Sequence, residues 1–186
     1  MVGTVEEALA LRAAEHGAIC MGEVRGQAPD SFDYGNSPFE IATVDFSGKT
    51  IIQRTSAGTQ GIVAASAQAG RVYAASLVTA EATVRALLSG SPGEVTIVAM
   101  GDNGTTRTDE DELTAIHLRN RLEGRPGDKQ AVQQVILAGG EVRRFQARLG
   151  HRPEDVEIAL DIDRYDFAIR VDCENGRPIA RMERPA

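Results

Sequence analysis

Three short, glycine-bearing segments between Gly22 and Thr59 carry most of the side chains that could do chemistry. They read Gly-Glu-Val-Arg-Gly at 22–26, Phe-Asp-Tyr-Gly-Asn-Ser-Pro at 32–38 and Arg-Thr-Ser-Ala-Gly-Thr at 54–59. Each follows or brackets a short apolar run, and glycine-rich loops at strand ends are where α/β proteins bind anions. Hydroxyls, an amide, arginine and main-chain N–H groups suit an oxyanion. The carboxylates of Glu23 and Asp33 could instead ligate a hard metal ion.

The third segment lies between a predicted strand and a predicted helix. Main-chain N–H groups at a helix start have no partner within the helix, and the helix dipole favours an anion there. Thr55, Ser56 and Thr59 would add hydroxyl donors. The same residue types are equally typical of an ordinary N-capped turn that binds nothing. The sequence leaves both interpretations open.

A second acidic group, Asp109, Glu110 and Asp111, follows Thr108 at the start of a predicted helix. Mg²⁺ prefers one or two carboxylates together with waters and phosphate oxygens, so this group could bind a divalent cation, with Asp102 joining it. Acidic residues in a first turn also stabilise a helix by about 0.3–1 kcal/mol each without any function. Both interpretations stay open here too.

The first two segments also have simpler interpretations. Glu23 and Arg25 could bind a metal ion and a phosphate side by side, or form a surface ion pair of little energetic value. Asp33 and Asn36, which flank Gly35, could position a ligand or form Asx turns within the loop. His117 lies on the predicted helix after the acidic group, where a packed histidine is the simpler expectation.

The elements that would position these residues alternate between strand and helix. A capping box of Thr4 and Glu7 predicts a helix that ends near Gly17. Apolar runs predict strands at 18–21, 49–53, 72–75 and 95–100, and the last reads as the clearest buried strand. Helices are predicted at 61–69, 80–88, 108–122, 130–137 and 153–160. A hairpin is predicted from 167 to 182, turning at Asn175-Gly176. This order predicts an α/β layered domain.

Composition excludes several classes of protein. The 186 residues carry a formal net charge of −7, which argues against binding to a nucleic-acid backbone. No apolar run approaches the ~20 residues that span a bilayer, and the start lacks the basic region of a signal peptide. Cys20 and Cys173 are expected to be reduced thiols of a cytoplasmic protein, although one disulfide is conceivable. The histidines at 16, 117 and 151 lack zinc-ligand spacing.

Read in order, the three segments resemble the 2-phosphosulfolactate phosphatase (ComB-like) family. The resemblance continues through the run 95–100 with Gly101, through Glu110-Asp111 and Ala115, and ends with 154–155 and 165–166. It covers nearly the whole chain. The Gly-Asn-Ser-Pro block, followed at this distance by the Gly-Thr loop, is its most specific part.

The resemblance implies a Mg²⁺-dependent phosphatase that converts 2-phospho-3-sulfolactate into 3-sulfolactate and phosphate, on the route to coenzyme M. It also implies one three-layer α/β/α domain over residues 1–186 and a small anionic phosphorylated substrate. The predicted C-terminal β-hairpin completes this fold, and a homodimer is expected for so small an α/β enzyme. On this hypothesis the catalytic residues are Glu23, Asp33 and Asp111, and the metal ligands are Glu23, Glu110 and Asp111. The substrate would be bound by Arg25, Asn36, Arg54, Thr55, Ser56, Gly58 and Thr59.

Two departures from the family pattern bear on activity. Family members usually open with a strand and an Asp-Val-Leu-Arg-Ala-Thr-like segment, and by comparison this chain begins after them, without a carboxylate and an arginine expected near the site. The loop that often reads Thr-Thr-Thr-Asn-Gly-Thr has Arg54 at its start and Ala57 in place of the amide. A non-catalytic, anion-binding paralogue is therefore the alternative to an active phosphatase. A nucleotide-binding protein is disfavoured because the dinucleotide and Walker fingerprints are absent.

Overall fold

The structure is a computed structural model that describes residues 1–15, 17–147 and 152–185. The α-helices in these residues are α1 (Val5–Ala14), α2 (Pro38–Ile41), α3 (Gly58–Ser66), α4 (Ala80–Ser89), α5 (Asp109–Leu122), α6 (Lys129–Ala138), α7 (Gly140–Ala147) and α8 (Pro153–Ala159). The strands are β1 (Ile19–Gly22), β2 (Ile51–Arg54), β3 (Val72–Ala74), β4 (Ala168–Glu174) and β5 (Arg177–Glu183), and a 3₁₀ turn (Leu77–Thr79) precedes α4.

Strands β1 and β2 form a parallel pair that positions the first and third polar segments. Ile19 pairs with Ile51 at one end and Gly22 with Arg54 at the other, so both following loops leave from the same edge. A Cβ at Gly22 would lie 1.9 Å from the carbonyl oxygen of Arg54, and its φ is 131°, so this close approach requires glycine. The loops that carry Glu23 and Ser56 are thereby held side by side.

Helix α1 covers this pair. The side chain of Thr4 accepts a hydrogen bond from the N–H of Glu7, as the predicted cap requires. The buried residues of this layer are Val2, Ala8, Ala18, Cys20 and Ile52. Burial of an aliphatic side chain such as Ile52 contributes about 1.5–3 kcal/mol, so the layer is a stable base for the loops.

The second sheet is antiparallel and has the order β3–β4–β5. Its β4–β5 hairpin turns at Asn175 and Gly176, whose φ angles of 51° and 77° are those of a type I′ turn. The α/β class and the C-terminal hairpin predicted from the sequence are confirmed. The helices predicted at 108–122, 130–137 and 153–160 are also present as α5, α6 and α8, with ends that differ by one residue.

The prediction of a buried strand over 95–100 is wrong. These residues have no assigned secondary structure and belong to neither sheet, and Val98 is 65% exposed. An apolar run indicates burial only when a neighbouring strand accepts its main-chain groups, and no described strand pairs with it. Only part of the run is covered, because Ile97 packs against Ala80, Val84 and Leu118 of α4 and α5.

Two helices were not predicted. The single turn α2 begins at Pro38 after the Ser37 cap, within a segment expected to be loop. Helix α7 begins at Gly140, directly after Gly139, where consecutive glycines favour a break. It packs through Val142 on the core residues Leu77, Ile136, Leu160 and Ile162, so tertiary packing overrides local preference. None of the described helices is long and apolar enough to cross a bilayer.

Candidate active site

A cavity of about 380 Å³ opens where the loops after β1 and β2 face the start of α5 and the helices α6 to α8. Its size is within the range of small-molecule sites. Its polar lining comprises Glu23, Arg25, Asn36, Ser56, Asp102, Asn103, Thr108, Glu110, Glu141, Arg144 and Asp155. Its apolar wall includes Ile136, Val142, Phe145, Val156 and Leu160. One part of the cavity wall is therefore polar and another part is apolar.

Glu23 joins the loops that follow β1 and β2. It is only 6% exposed, and its Oε2 accepts a hydrogen bond of 2.6 Å from the N–H of Gly26. Its Oε1 accepts another from the N–H of Ser56 in the loop after β2. Each carboxylate oxygen has a further lone pair, so Glu23 can both hold the loops and face a ligand in the cavity.

The hydroxyls of Thr55 and Thr59 are engaged with each other's main chain. The N–H of Thr59 donates to Thr55 Oγ1 at 3.1 Å, and the N–H of Thr55 donates to Thr59 Oγ1 at 2.8 Å. Neither residue lines the cavity, and neither does Gly58. The loop is thus closed by hydrogen bonds between Thr55 and Thr59 at the start of α3, whose N-cap residue Ala57 offers no side-chain cap. Ser56 is the member of the loop that reaches the cavity.

Two arginines meet at Ser56. The N–H of Arg25 donates to Ser56 Oγ at 2.8 Å, and Arg54 donates to the same oxygen at 2.9 Å and to the carbonyl of Glu23 at 2.7 Å. Arg25 lines this cavity, whereas Arg54 lines a neighbouring hollow. The structure therefore brings Arg25, Asn36 and Ser56 to the cavity, and Arg54 next to it.

The start of α5 contributes atoms with unused bonding capacity. Glu110 Oε2 and Thr108 Oγ1 are buried and have no hydrogen-bond partner among the described residues. Both residues line the cavity. Asp111 turns elsewhere, because its Oδ2 accepts a 2.6 Å hydrogen bond from the N–H of Gly101. Of the predicted acidic group, Glu110 is the member that lines the cavity.

Asp33 lies against α1 and β1. Its Oδ2 accepts hydrogen bonds from the N–H of Cys20 at 2.8 Å and from Arg12 at 3.3 Å. It therefore links the second segment to α1 and β1, and it is not among the residues of the cavity wall. The structure does not bring this predicted catalytic residue to the other candidates.

Asp155 is a site residue that sequence reasoning did not select. It is 2% exposed, and its Oδ1 accepts hydrogen bonds from Ser37 Oγ at 2.6 Å and from the N–H of Phe39 at 3.0 Å. It thereby fastens the second polar segment to α8. In the sequence it looks like an ordinary first-turn acid after Pro153. Glu141 and Arg144 were missed because α7 itself was not predicted.

The cavity has an excess of acidic groups. Its wall carries the five carboxylates of Glu23, Asp102, Glu110, Glu141 and Asp155 against the two guanidinium groups of Arg25 and Arg144. This lining suits a ligand that brings a cation, or a cation itself.

The carboxylates do not form a three-ligand metal cluster. In the described part of the chain no group of three or more His, Cys, Asp and Glu side chains could hold a metal ion. The predicted trio of Glu23, Glu110 and Asp111 is therefore not assembled as one. Mg²⁺ needs only one or two carboxylates, because waters and substrate oxygens complete its shell. The unpartnered Glu110 Oε2 and the nearby Glu23 carboxylate fit that requirement.

His117 is buried, as a packed histidine would be, and lies outside the cavity wall. Burial lowers the pKa of its imidazole, an effect that Asp163 opposes and Lys129 reinforces. His16 and His151 lie outside the described residues.

Comparison with known proteins identifies the family of the chain. The model of the family described as 2-phosphosulpholactate phosphatase matches residues 1–172. The chain belongs to this family. It is 31% identical over 160 residues to a probable 2-phosphosulfolactate phosphatase of Thermoplasma acidophilum, covering 86% of this chain and 68% of the relative. It is 39% identical over 122 residues to a protein of the same name in Thermotoga petrophila, covering 66% of this chain and 51% of the relative.

A third relative in this family, from Parasynechococcus marenigrum, also bears the name probable 2-phosphosulfolactate phosphatase. It is 35% identical over 142 residues, covering 76% of this chain and 55% of the relative. The chain spans about half the length of several of the relatives it matches. The family match includes all three polar segments and the start of α5.

Proposed function

We propose that the protein is a Mg²⁺-dependent phosphatase that hydrolyses the phosphomonoester of 2-phospho-3-sulfolactate, or of a similar phosphorylated hydroxy acid. The observation that carries the proposal is the buried, unpartnered Glu110 Oε2 in the wall of a cavity that also holds Glu23, Arg25 and Ser56. Family membership supports the reaction class. A cytoplasmic location and a place on the route to coenzyme M belong to the same proposal.

Charge supports the need for a cation. The substrate would carry a phosphate, a sulfonate and a carboxylate, whereas the cavity wall has five carboxylates and two arginines. Like charges repel strongly in a partly desolvated site. Glu23 and Glu110 would hold the Mg²⁺, which when bound neutralises phosphate oxygens and lowers the pKa of a bound water.

The chain's own donors would orient the phosphoryl group. In phosphoryl transfer, charge spreads over the equatorial oxygens, and fixed donors aimed at them are the main resource of the enzyme. Arg25, Asn36 and Ser56 supply a guanidinium, an amide and a hydroxyl from the cavity wall. Thr55 and Thr59 act indirectly, because they hold the loop that presents Ser56. Asp155 holds the segment that presents Asn36.

The test is release of inorganic phosphate from 2-phospho-3-sulfolactate with added Mg²⁺ and with EDTA. We expect release that EDTA abolishes. Glu110→Gln should lower kcat/KM by about 10- to 100-fold or more, because mutation of the groups that merely hydrogen-bond to metal ligands already has an effect of that size. The matched control is Glu112→Gln, two residues further on, because Glu112 forms a surface ion pair with Arg107 at 2.6 Å. Equal activity of the two variants would refute the assigned role of Glu110.

A binding protein without catalysis is the second candidate. It is favoured by the hydrogen bonds that Thr55 and Thr59 make with each other, which leave the loop with few hydroxyls toward the cavity. Calorimetric binding of 3-sulfolactate without any phosphate release from the phosphorylated compound would support this candidate over the enzyme.

A further inference from the structure

A hollow beside the acidic cavity has the opposite charge character. It is lined by Val24, Arg25, Arg54, Ser56, Gln60, Asn103 and Thr105. This lining includes two guanidinium groups and no carboxylate, whereas the acidic cavity has five carboxylates. Arg25, Ser56 and Asn103 belong to both walls, so the two spaces adjoin. We call this second space the basic hollow.

We propose that the basic hollow binds the second anionic group of the substrate, a sulfonate or a carboxylate, while the phosphate lies in the acidic cavity. This inference rests on the proposed function and adds to it the residues that would distinguish a substrate with a second oxyanion from a simple phosphomonoester. Arg54 and Arg25 are then the residues that decide specificity.

Arg54 is held in place by two hydrogen bonds and keeps one buried N–H donor without a partner among the described residues. One terminal nitrogen of its guanidinium donates both to Ser56 Oγ and to the carbonyl of Glu23. Its Nε is buried and has no hydrogen-bond partner among the described residues. A guanidinium has five N–H donors in a rigid fork that matches a sulfonate or a carboxylate. A buried donor without a partner is costly, so an oxyanion that accepts from this edge would be favoured.

Ser56 offers a further donor at the boundary of the two spaces. Its Oγ accepts hydrogen bonds from the N–H of Arg25 and from Arg54, and no described contact uses its own hydroxyl proton. A serine hydroxyl has one donor beside its two acceptor sites, so this proton remains for a ligand.

The backbone of Arg25 is also unusual at this boundary. Its φ is 53°, in the left-handed region, and its N–H is fixed by Ser56. A residue that is not glycine adopts this conformation at a cost of about 1–3 kcal/mol, and such residues concentrate at ligand sites. The conformation places Arg25 in the wall of both spaces, where it can contact both anionic groups of one substrate.

The experiment adds a negative charge to the basic hollow. Gln60 lines the hollow and not the acidic cavity, so Gln60→Glu introduces like-charge repulsion against the second oxyanion. The control is Gln68→Glu, which makes the same change at an exposed position outside both spaces. The measured quantity is kcat/KM for 2-phospho-3-sulfolactate divided by kcat/KM for p-nitrophenyl phosphate, which lacks a second anion.

We expect this ratio to fall about tenfold or more in Gln60→Glu and to stay at the wild-type value in Gln68→Glu. An unchanged ratio in Gln60→Glu, with the wild type active, would overturn the inference and leave the proposed function intact. Thr105→Glu, which enters the hollow from another segment, replaces Gln60→Glu if circular dichroism shows that variant to be unfolded.

Binding separates failure of the inference from failure of the proposed function. Calorimetry with 3-sulfolactate and with malate, which has a carboxylate in place of the sulfonate, needs no turnover. Weaker binding of either compound to Gln60→Glu than to Gln68→Glu supports the hollow even if no phosphate is released, and it identifies the preferred oxyanion. Equal binding to the two variants contradicts the inference whether or not the wild type is an active phosphatase.

Discussion

Glu23, which follows the first strand, accepts a hydrogen bond from the main-chain N–H of Ser56, which follows the second. The same carboxylate also accepts one from Gly26, so a single buried side chain fixes both loops of the candidate site. Backbone pairing of β1 with β2 brings the loops to one edge, and Glu23 then sets their separation. The positions of Ser56 and of the two arginines that donate to it, Arg25 and Arg54, therefore depend on the Glu23 carboxylate.

Glu23→Gln should therefore reduce stability as well as activity. An amide has one acceptor oxygen and no charge, so one of the two N–H groups loses its acceptor and the other keeps only a neutral one, at a cost of about 1–3 kcal/mol. Urea denaturation measures the loss. Glu94→Gln, at an exposed position, is the control and should change stability by less than about 0.5 kcal/mol. A Glu23→Gln variant as stable as this control would contradict the role of Glu23 in holding the two loops together.

Asp155 and Ser37 should be energetically coupled. Asp155→Asn and Ser37→Ala each remove part of the same buried contact, so the double variant should cost less than the sum of the two single losses of about 1–3 kcal/mol each. A double-mutant cycle by urea denaturation measures the coupling. Strict additivity would indicate that the contact contributes nothing. Glu154→Gln, the exposed neighbour, serves as the reference substitution.

Ala57→Gly should stabilise the protein. Ala57 has a φ of 127°, where only glycine avoids strain of about 1–3 kcal/mol. We expect relief of that strain to exceed the combined cost of one lost buried methyl group, about 0.8 kcal/mol, and of the unfolded-state entropy that glycine adds, about 0.5–1 kcal/mol. Thermal denaturation should show a higher Tm. Ala67→Gly gives the opposite sign, because Ala67 is at the end of α3 with a φ of −79° and glycine there only adds unfolded-state entropy.

Stability should fall on mild acidification because of His117. Burial holds the pKa of His117 below its ordinary value of 6.5, so the folded state disfavours the proton that the unfolded state binds. The free energy of unfolding that comes from the neutral, buried His117 is fully present above pH 6.5. It is lost as the pH falls from 6.5 toward the lowered pKa of the folded state. Urea denaturation of wild type and His117→Gln between pH 7.5 and 5 should show a smaller decline in the variant. Parallel pH profiles would exclude His117 as the cause.

Elements with strong local signals could be predicted from the sequence. Thr4 caps α1 as expected, and the acidic first turn after Thr108 begins α5. Asn175-Gly176 forms the predicted hairpin turn because these two residues tolerate positive φ. The strand prediction for the run 95–100 is wrong for the converse reason: whether an apolar segment pairs as a strand depends on neighbours that its own residues do not specify.

Residue types and their spacing were enough to predict the family, the α/β class, and the segments that carry Glu23, Arg25, Asn36, Ser56 and Glu110. Which side chains face one another became clear only from the packing of the folded chain. It turned Asp33 and Asp111 onto main-chain N–H groups of Cys20 and Gly101. It also brought in Asp155, whose hydrogen-bond partner Ser37 lies 118 residues away in the chain. Side-chain direction follows from packing between distant elements, and no local pattern of residue types encodes that packing.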